Sequence, residues 1–403
     1  MFKIKPAIAI LIASIALELN KPNSYVLGAT ETANPLEIER IDPLLPNRSS
    51  ERPLSPLEKY KLEREILKLE QKAKTESEEI SFEIWYRILR LKRELGLLAE
   101  IEALGNVGAI AWDKSRARDV TIITQRLKAI EQDIILTRDK DLTLSLALGQ
   151  AYRQLRDFDL AIAIYERILT DATKLEDNSS KIETLKLLGE LYLTKFDYSK
   201  AAPVYEELLN NARSSGDNFN TGIYLTQLAK IYDRIALPEN ALPIKERLQQ
   251  KYLNSGKLQD LVKLKISIGE DYEAIQEPEK ANANYQEAFN LAWSLQNLAA
   301  ASLALEKLAN LYLDYNQPLA AVEIYQQLIK VQQQSYNFFG LMSTYDRIGK
   351  IYLDRENFSQ AIEAFQKGKE IARTLQYREN YFIDRINTIK QEIRKEKVYL
   401  NIE

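Results

Sequence analysis

The sequence predicts an all-α chain assembled from tandem two-helix units, and three observations carry that prediction. The 403 residues include only 13 Gly and 12 Pro, while Leu, Ala, Glu, Lys and Gln, all good helix formers, are abundant. Six tyrosines, Tyr152, Tyr192, Tyr232, Tyr272, Tyr312 and Tyr352, stand 40 residues apart. Around each of them, small and apolar residues recur at spacings of three and four, the signature of one helix face.

Composition also bounds the chemistry. Lys and Arg number 55 against 58 Asp and Glu, a formal charge of −3, and there is no His and no Cys. That absence excludes zinc sites built on those ligands, Fe–S clusters, thiol nucleophiles, Ser-His-Asp triads and disulfides. No basic stripe is present for nucleic acid, and no metal or cofactor is expected.

Taken in order, the chain opens with Lys3 and Lys5 ahead of an apolar run, Ala7–Leu17. Eleven residues are too few to span a bilayer. They suit the core of an export signal, with cleavage after Ala16 or Ala29, so residues 1–29 are expected to be a signal peptide. Residues 30–54, with Pro35, Pro43, Pro46 and Pro53, read as a disordered linker. Ser55-Pro56-Leu57-Glu58 then has the residues of a capping box that starts a helix. Leu62, Ile66, Leu69 and Ala73 give that helix one apolar stripe, and Phe82, Trp85, Leu89, Leu95 and Leu98 mark a second. Residues 55–141 are expected to be a helical cap with a degenerate repeat, because Trp112 and Ala109 fall one period ahead of Tyr152 and Gly149 while Gly108 and Thr121 break the other columns.

Residues 142–377 hold six 40-residue units. Three positions before each tyrosine stands a small residue: Gly149, Gly189, Ala229, Gly269, Ala309 and Gly349. Nine after it comes Ala161, Ala201, Ala241, Ala281, Ala321 or Ala361. Four further on the residue is a ring, Tyr165, Tyr205, Tyr285, Tyr325 or Phe365, with Lys245 the one exception. Small residues are expected to let the two helices of a unit approach, and rings to fill the space between units. Pro238, Pro278 and Pro318 should open second helices. Pro203 and Pro243 fall early enough in theirs for a missing amide to be tolerated. Residues 378–403, with Ile386, Ile389 and Ile393 on one stripe, are expected to form a closing helix.

Leu-Gly-x-x-Tyr followed by Ala-x-x-x-Tyr/Phe resembles the tetratricopeptide repeat, and the 40-residue period resembles the longer variant of kinesin light chains. The resemblance implies a right-handed α-solenoid of helix-turn-helix units with helical caps, its first helices lining a concave groove. It places partner contacts at the residue after the small one: Gln150, Glu190, Lys230, Glu270, Asn310 and Lys350. Their charges alternate, which suits a mixed-charge peptide. The carboxylate clamp needs Lys four residues before Asn, and none of the six pairs has it. Nor does Asn precede the Leu-Gly pair, where Ala147, Leu187, Gln227, Ser267, Lys307 and Arg347 stand.

The expected function is a noncatalytic protein-protein interaction scaffold for a peptide or protein partner, touching a membrane only through its signal segment or its partner. Residue usage and the Pro-rich leader also resemble exported bacterial, and in particular cyanobacterial, repeat proteins. On that basis the sequence suggests a role in assembling or maintaining an envelope or membrane complex, in the periplasm, thylakoid lumen or extracellular space. A cytoplasmic regulatory array that senses a peptide is the alternative. A carboxylate-based enzyme is disfavoured, because the acids read as scattered surface residues explained by i, i+4 pairing, and Gly105-x-x-Gly108 lacks the Lys-Ser/Thr of a phosphate loop.

Overall fold

From Leu142 to Thr374 each helix ends for a local reason that recurs every twenty residues. The structure, a computed structural model, describes residues 34–37, 42, 44, 53–136 and 141–400. The expected signal peptide lies outside the described residues. Among the described residues there are 17 helices and no strand. The chain divides into two units, Met1–Thr170 and Asp171–Glu403. Unit 1 holds α1 (Pro56–Thr75), α2 (Glu78–Leu95), α3 (Leu97–Asp113), α4 (Ala117–Leu136), α5 (Leu142–Gln154) and most of α6 (Phe158–Lys174). Unit 2 holds α7 (Asn178–Thr194), α8 (Tyr198–Ser214), α9 (Asn218–Arg234), α10 (Pro238–Asn254), α11 (Leu258–Ala274) and α12 (Pro278–Ser294). It continues with α13 (Leu298–Asp314), α14 (Pro318–Gln334), α15 (Phe338–Asp354), α16 (Phe358–Thr374) and α17 (Glu379–Leu400).

The 40-residue period is two 20-residue halves, and from α6 to α16 each helix has 17 residues with a three-residue connection between one and the next. The middle connecting residue is left-handed at every turn from Arg156 (φ 58°) to Gln376 (φ 52°), and only Gly216 and Gly256 are glycines there. The next residue's N–H reaches back five positions to close the helix, as from Asp197 to the Tyr192 carbonyl at 2.8 Å and from Asn357 to Tyr352 at 2.8 Å. That same residue caps the following helix. Asp177 accepts from the Ser180 N–H at 3.1 Å, Asp217 from Asn220 at 3.0 Å and Asn337 from Gly340 at 2.9 Å. Where Leu237, Glu277 and Gln317 offer no such cap, Pro238, Pro278 and Pro318 follow at the first helical position and remove an amide that needs one.

Two sets of rings do different work. The second-helix ring lies on the small residue of its own pair: a Cβ on Gly269 would come within 2.5 Å of Tyr285 Cε1, and one on Gly349 within 2.6 Å of Phe365 Cε1. The glycine therefore makes room for a ring rather than for a bare backbone crossing. The first-helix tyrosine instead bridges consecutive pairs, Tyr272 donating to Glu246 at 3.1 Å and Tyr232 to Glu206. Ala161, Ala201, Ala241, Ala281, Ala321 and Ala361 are all 0% exposed, as close helix contact demands. Tyr152, Tyr192 and Tyr232 are buried, while Tyr272, Tyr312 and Tyr352 are half-buried. In α17, Phe382 takes the ring position over Gly368, and Ile386 and Ile389 are buried beside it.

Several expectations need correcting. Pro203 and Pro243 sit at the sixth positions of α8 and α10, one turn too deep to be free, so each removes a helical hydrogen bond. Trp112 is 46% exposed, so it does not stand in for Tyr152. The close backbone crossing occurs in unit 1 instead, where a Cβ on Gly105 would lie 2.9 Å from Ala151 Cα. The acids are not all surface residues. Glu100, 2% exposed, accepts from Arg93 at 2.8 Å and from Arg126 at 2.8 and 3.1 Å. Asp119 is likewise buried and takes hydrogen bonds from Tyr86 and Arg116. Finally, parts of the expected linker are seated: Leu36 is 2% exposed, and Asp42 makes a two-point ion pair with Arg87.

Candidate functional site

The candidate surface in unit 2 is the outward stripe of the first helices α7, α9, α11, α13 and α15. Leu303, Lys307 and Asn310 share it at i, i+4 and i+7, as do Ile223, Gln227 and Lys230. Glu190, Lys230, Glu270 and Lys350 are exposed there and Asn310 is half-buried. Gln150 is also exposed but belongs to unit 1. Ile223 (40% exposed) and Leu303 (45%) place aliphatic side chains on the same stripe, a feature the sequence reading missed.

Neighbouring first helices are tied across this stripe. Lys307 pairs with Glu270 at 2.6 Å, Arg347 donates to Asn310 Oδ1 at 3.0 Å, and Tyr381 donates to Asp346 at 2.8 Å. Arg347 also donates to the Tyr325 hydroxyl at 3.1 Å, with its guanidinium 5.9 Å from that ring's centre. Lys350 is drawn to Asp346 at 2.8 Å, and that hydrogen bond holds its ammonium above the usual lysine range. Burial pushes the Glu306 carboxyl up, against the pull of Arg347. Glu270, Asn310 and Lys350 are thus partly occupied in holding the face together. Lys230 and Gln150 make no hydrogen bond or ion pair among the described residues.

Lys245, the break in the ring column, is 1% exposed. Its ammonium meets Asp271 Oδ2 at 2.6 Å, Ser267 Oγ at 2.7 Å and Asp233 Oδ1 at 2.5 Å. Burial pushes Asp271 up to about 6, against the opposing pull of Lys245, with Asp233 adding to the rise. Sequence periodicity flags the exception but not its partners.

A polar cleft of about 480 Å³ between α10, α11 and α12 has Glu246 hydrogen-bonded to Tyr272 and Lys265 paired with Glu287 at 2.6 Å. Glu246 is the one acid in its lining, so no pair of acids is poised across it. Among the described residues, no group of three or more acids is placed to hold a metal ion, and no helix is long and apolar enough to cross a membrane. Exposed rings occur elsewhere, at the connections before α15 and α17. Phe339 packs edge-on to Tyr377 at 5.9 Å and Tyr336 to Phe338 at 6.4 Å. Trp293, 38% exposed, leans on Phe289 at 6.2 Å.

No curated protein matches the chain. Residues 141–214 and 343–375 match the family described as Tetratricopeptide repeat, and residues 185–338 match Soluble NSF attachment protein, SNAP. Similar solved structures include BtubC (BKLC) from P. vanneervenii, 18% identical over 54% of this chain and 92% of that one, with a TM-score of 0.37. MamA is 21% identical over 47% and 96%, TM-score 0.34, and the apo form of RapI 13% identical over 83% and 98%, TM-score 0.40. These three similarities do not bear on what this chain does. The family matches at both ends of the array, joined to its stacked helix pairs and buried columns of alanines and rings, show that this chain carries tetratricopeptide repeats in an all-α solenoid.

Proposed function

We propose that this chain is a noncatalytic scaffold that holds a peptide or protein partner along the first helices of unit 2. The observation that carries this reading is the stripe itself. Aliphatic Ile223 and Leu303 stand beside Lys230 and Lys307 on a face already braced by the Glu270–Lys307 and Asn310–Arg347 contacts. A braced face loses little conformational entropy on binding, which favours affinity. Apolar anchors ringed by both charge signs suit an extended, mixed-charge segment. Glu190, Lys230, Glu270, Asn310 and Lys350 are its proposed polar contacts, with Gln150 a separate candidate in unit 1.

The test is crosslinking and mass spectrometry in the native cell, comparing the parent with Lys230→Glu/Leu303→Asp. Partner crosslinks should map to α9, α11 and α13 and disappear in the variant. Crosslinks confined to second helices, or unchanged by the variant, defeat the assignment. We further propose that the scaffold works after export, supporting assembly or maintenance of an envelope or membrane complex. Sequencing the mature amino terminus checks this, and a retained Met1 removes it.

A further inference from the structure

Unit 1 carries a peptide-like contact made by the chain with itself. Ahead of α1, the backbone turns at Asn34–Glu37, where Asn34 Oδ1 accepts from the Leu36 N–H at 3.0 Å and the Glu37 N–H meets the Asn34 carbonyl at 2.9 Å. Leu36 is enclosed, 2% exposed. Arg90 of α2 donates to the Pro35 carbonyl at 2.6 Å. Arg87, one helical turn away on the same face, grips Asp42 with Nε at 2.8 Å and Nη2 at 2.9 Å. The Asp42 carboxyl is held below the usual range by that guanidinium, in spite of its partial burial. Glu37 also adds to the field at Arg126 of α4. One buried aliphatic, one backbone carbonyl and one two-point carboxylate are anchors of the kind that hold an acidic peptide.

We propose that the Arg87/Arg90 face of α2 is a peptide-docking site, with the chain's own Pro35, Leu36 and Asp42 as its resident and displaceable anchors. The partner that fits is an acidic peptide with an aliphatic side chain six residues ahead of a carboxylate, the sequence spacing of Leu36 and Asp42. Few anchors make the strap exchangeable, and its covalent tether makes it a strong competitor. About a dozen residues separate Leu44 from α1, so the strap is present at roughly millimolar effective concentration. A free peptide of micromolar affinity is then excluded until the strap is weakened or out-competed.

The probe is a fluorescently labelled synthetic copy of residues 34–44, titrated against the full chain and followed by anisotropy. It should bind Asp42→Ala at least about tenfold more tightly than the intact chain, because the strap no longer competes fully. Adding Arg87→Glu to Asp42→Ala should abolish that binding, and a probe with Leu36→Asp and Asp42→Arg should not bind. Asp42→Asn, closer in shape, must give the same ordering, which covers the case that Asp42→Ala fails to fold by circular dichroism. Equal binding to the intact chain and both variants, no binding to either variant, or indifference to Arg87→Glu would each make the strap a fixed part of the fold and overturn the proposal.

Discussion

Alanine placed at Gly269 and at Gly189 should have opposite consequences, although both glycines occupy the same column. Within a helix, Gly→Ala gains about 1 kcal/mol of helix propensity at either position. At Gly189 the new Cβ meets Tyr205 Cε2 at 3.0 Å, Cζ at 3.2 Å and Val204 Cγ1 at 3.4 Å, tight by a few tenths of an ångström. At Gly269 it meets Tyr285 Cε1 at 2.5 Å, Cδ1 at 2.7 Å and Cζ at 2.9 Å. Ordinary carbon contacts lie near ~3.5–4.0 Å, so the Tyr285 ring has to move by roughly 1 Å. That ring is 0% exposed, and its hydroxyl donates to Glu273 at 2.8 Å, so it has nowhere free to go. Overpacking of this kind costs about 1–3 kcal/mol. The expected net result is a loss of up to about 2 kcal/mol for Gly269→Ala and a change between zero and a gain of about 1 kcal/mol for Gly189→Ala. Urea unfolding followed at 222 nm, with slopes compared because repeat arrays unfold by neighbouring units, measures both. Equal shifts, or a larger loss at Gly189, would refute the claim that ring clearance sets the cost. Ala309 and Tyr325 are both fully buried in one apolar cluster, so the column accepts a Cβ when its surroundings are built around one.

Other predictions follow from the buried charges and the turns. Lys245→Met leaves Asp271 without its ammonium and should cost about 3–5 kcal/mol, part of which Asp271→Asn in the same chain restores, as read by denaturant midpoints. Asp271 ionises near 6 in the fold against an ordinary value of 3.8, so the folded state holds a proton that the unfolded chain releases. Its contribution to stability is therefore least above pH 6 and grows as pH falls towards 4. The parent should gain on Asp271→Asn by on the order of 2 kcal/mol between pH 7 and pH 4, and a constant gap would contradict the shift. Phe196 is left-handed at φ 58° and 74% exposed, so Phe196→Gly should raise the melting temperature by removing about 1 kcal/mol of strain. A lowered melting temperature would mean that its edge contact with Tyr198 outweighs the strain.

The regular part of the fold was legible because identical contacts repeat at a constant separation. Tyr152 to Tyr352 and Ala161 to Ala361 announce a helix pair every 40 residues, and Ser55 with Glu58 announces a start whose capping box forms. The finer beat was also present, in Asp157, Asp177, Asp197 and Asp217 and in Asn297, Asn337 and Asn357, but only the turn geometry shows why it exists. The residue that closes one helix must also cap the next. Of the candidate surface, the stripe after the small column was readable as positions, and its bracing was not.

By itself, then, the sequence determined the class of fold, the phase of its helices and which columns face inward, since these depend on spacing along a chain of known helical pitch. Tertiary structure alone decided which charge meets which. Asp42 with Arg87, Glu100 with Arg93 and Arg126, and Lys245 with Asp233 and Asp271 follow no period, and 58 acids facing 55 bases allow very many pairings. Only when packed helices bring two such groups within about 3 Å, out of water, does one pairing become worth more than the rest.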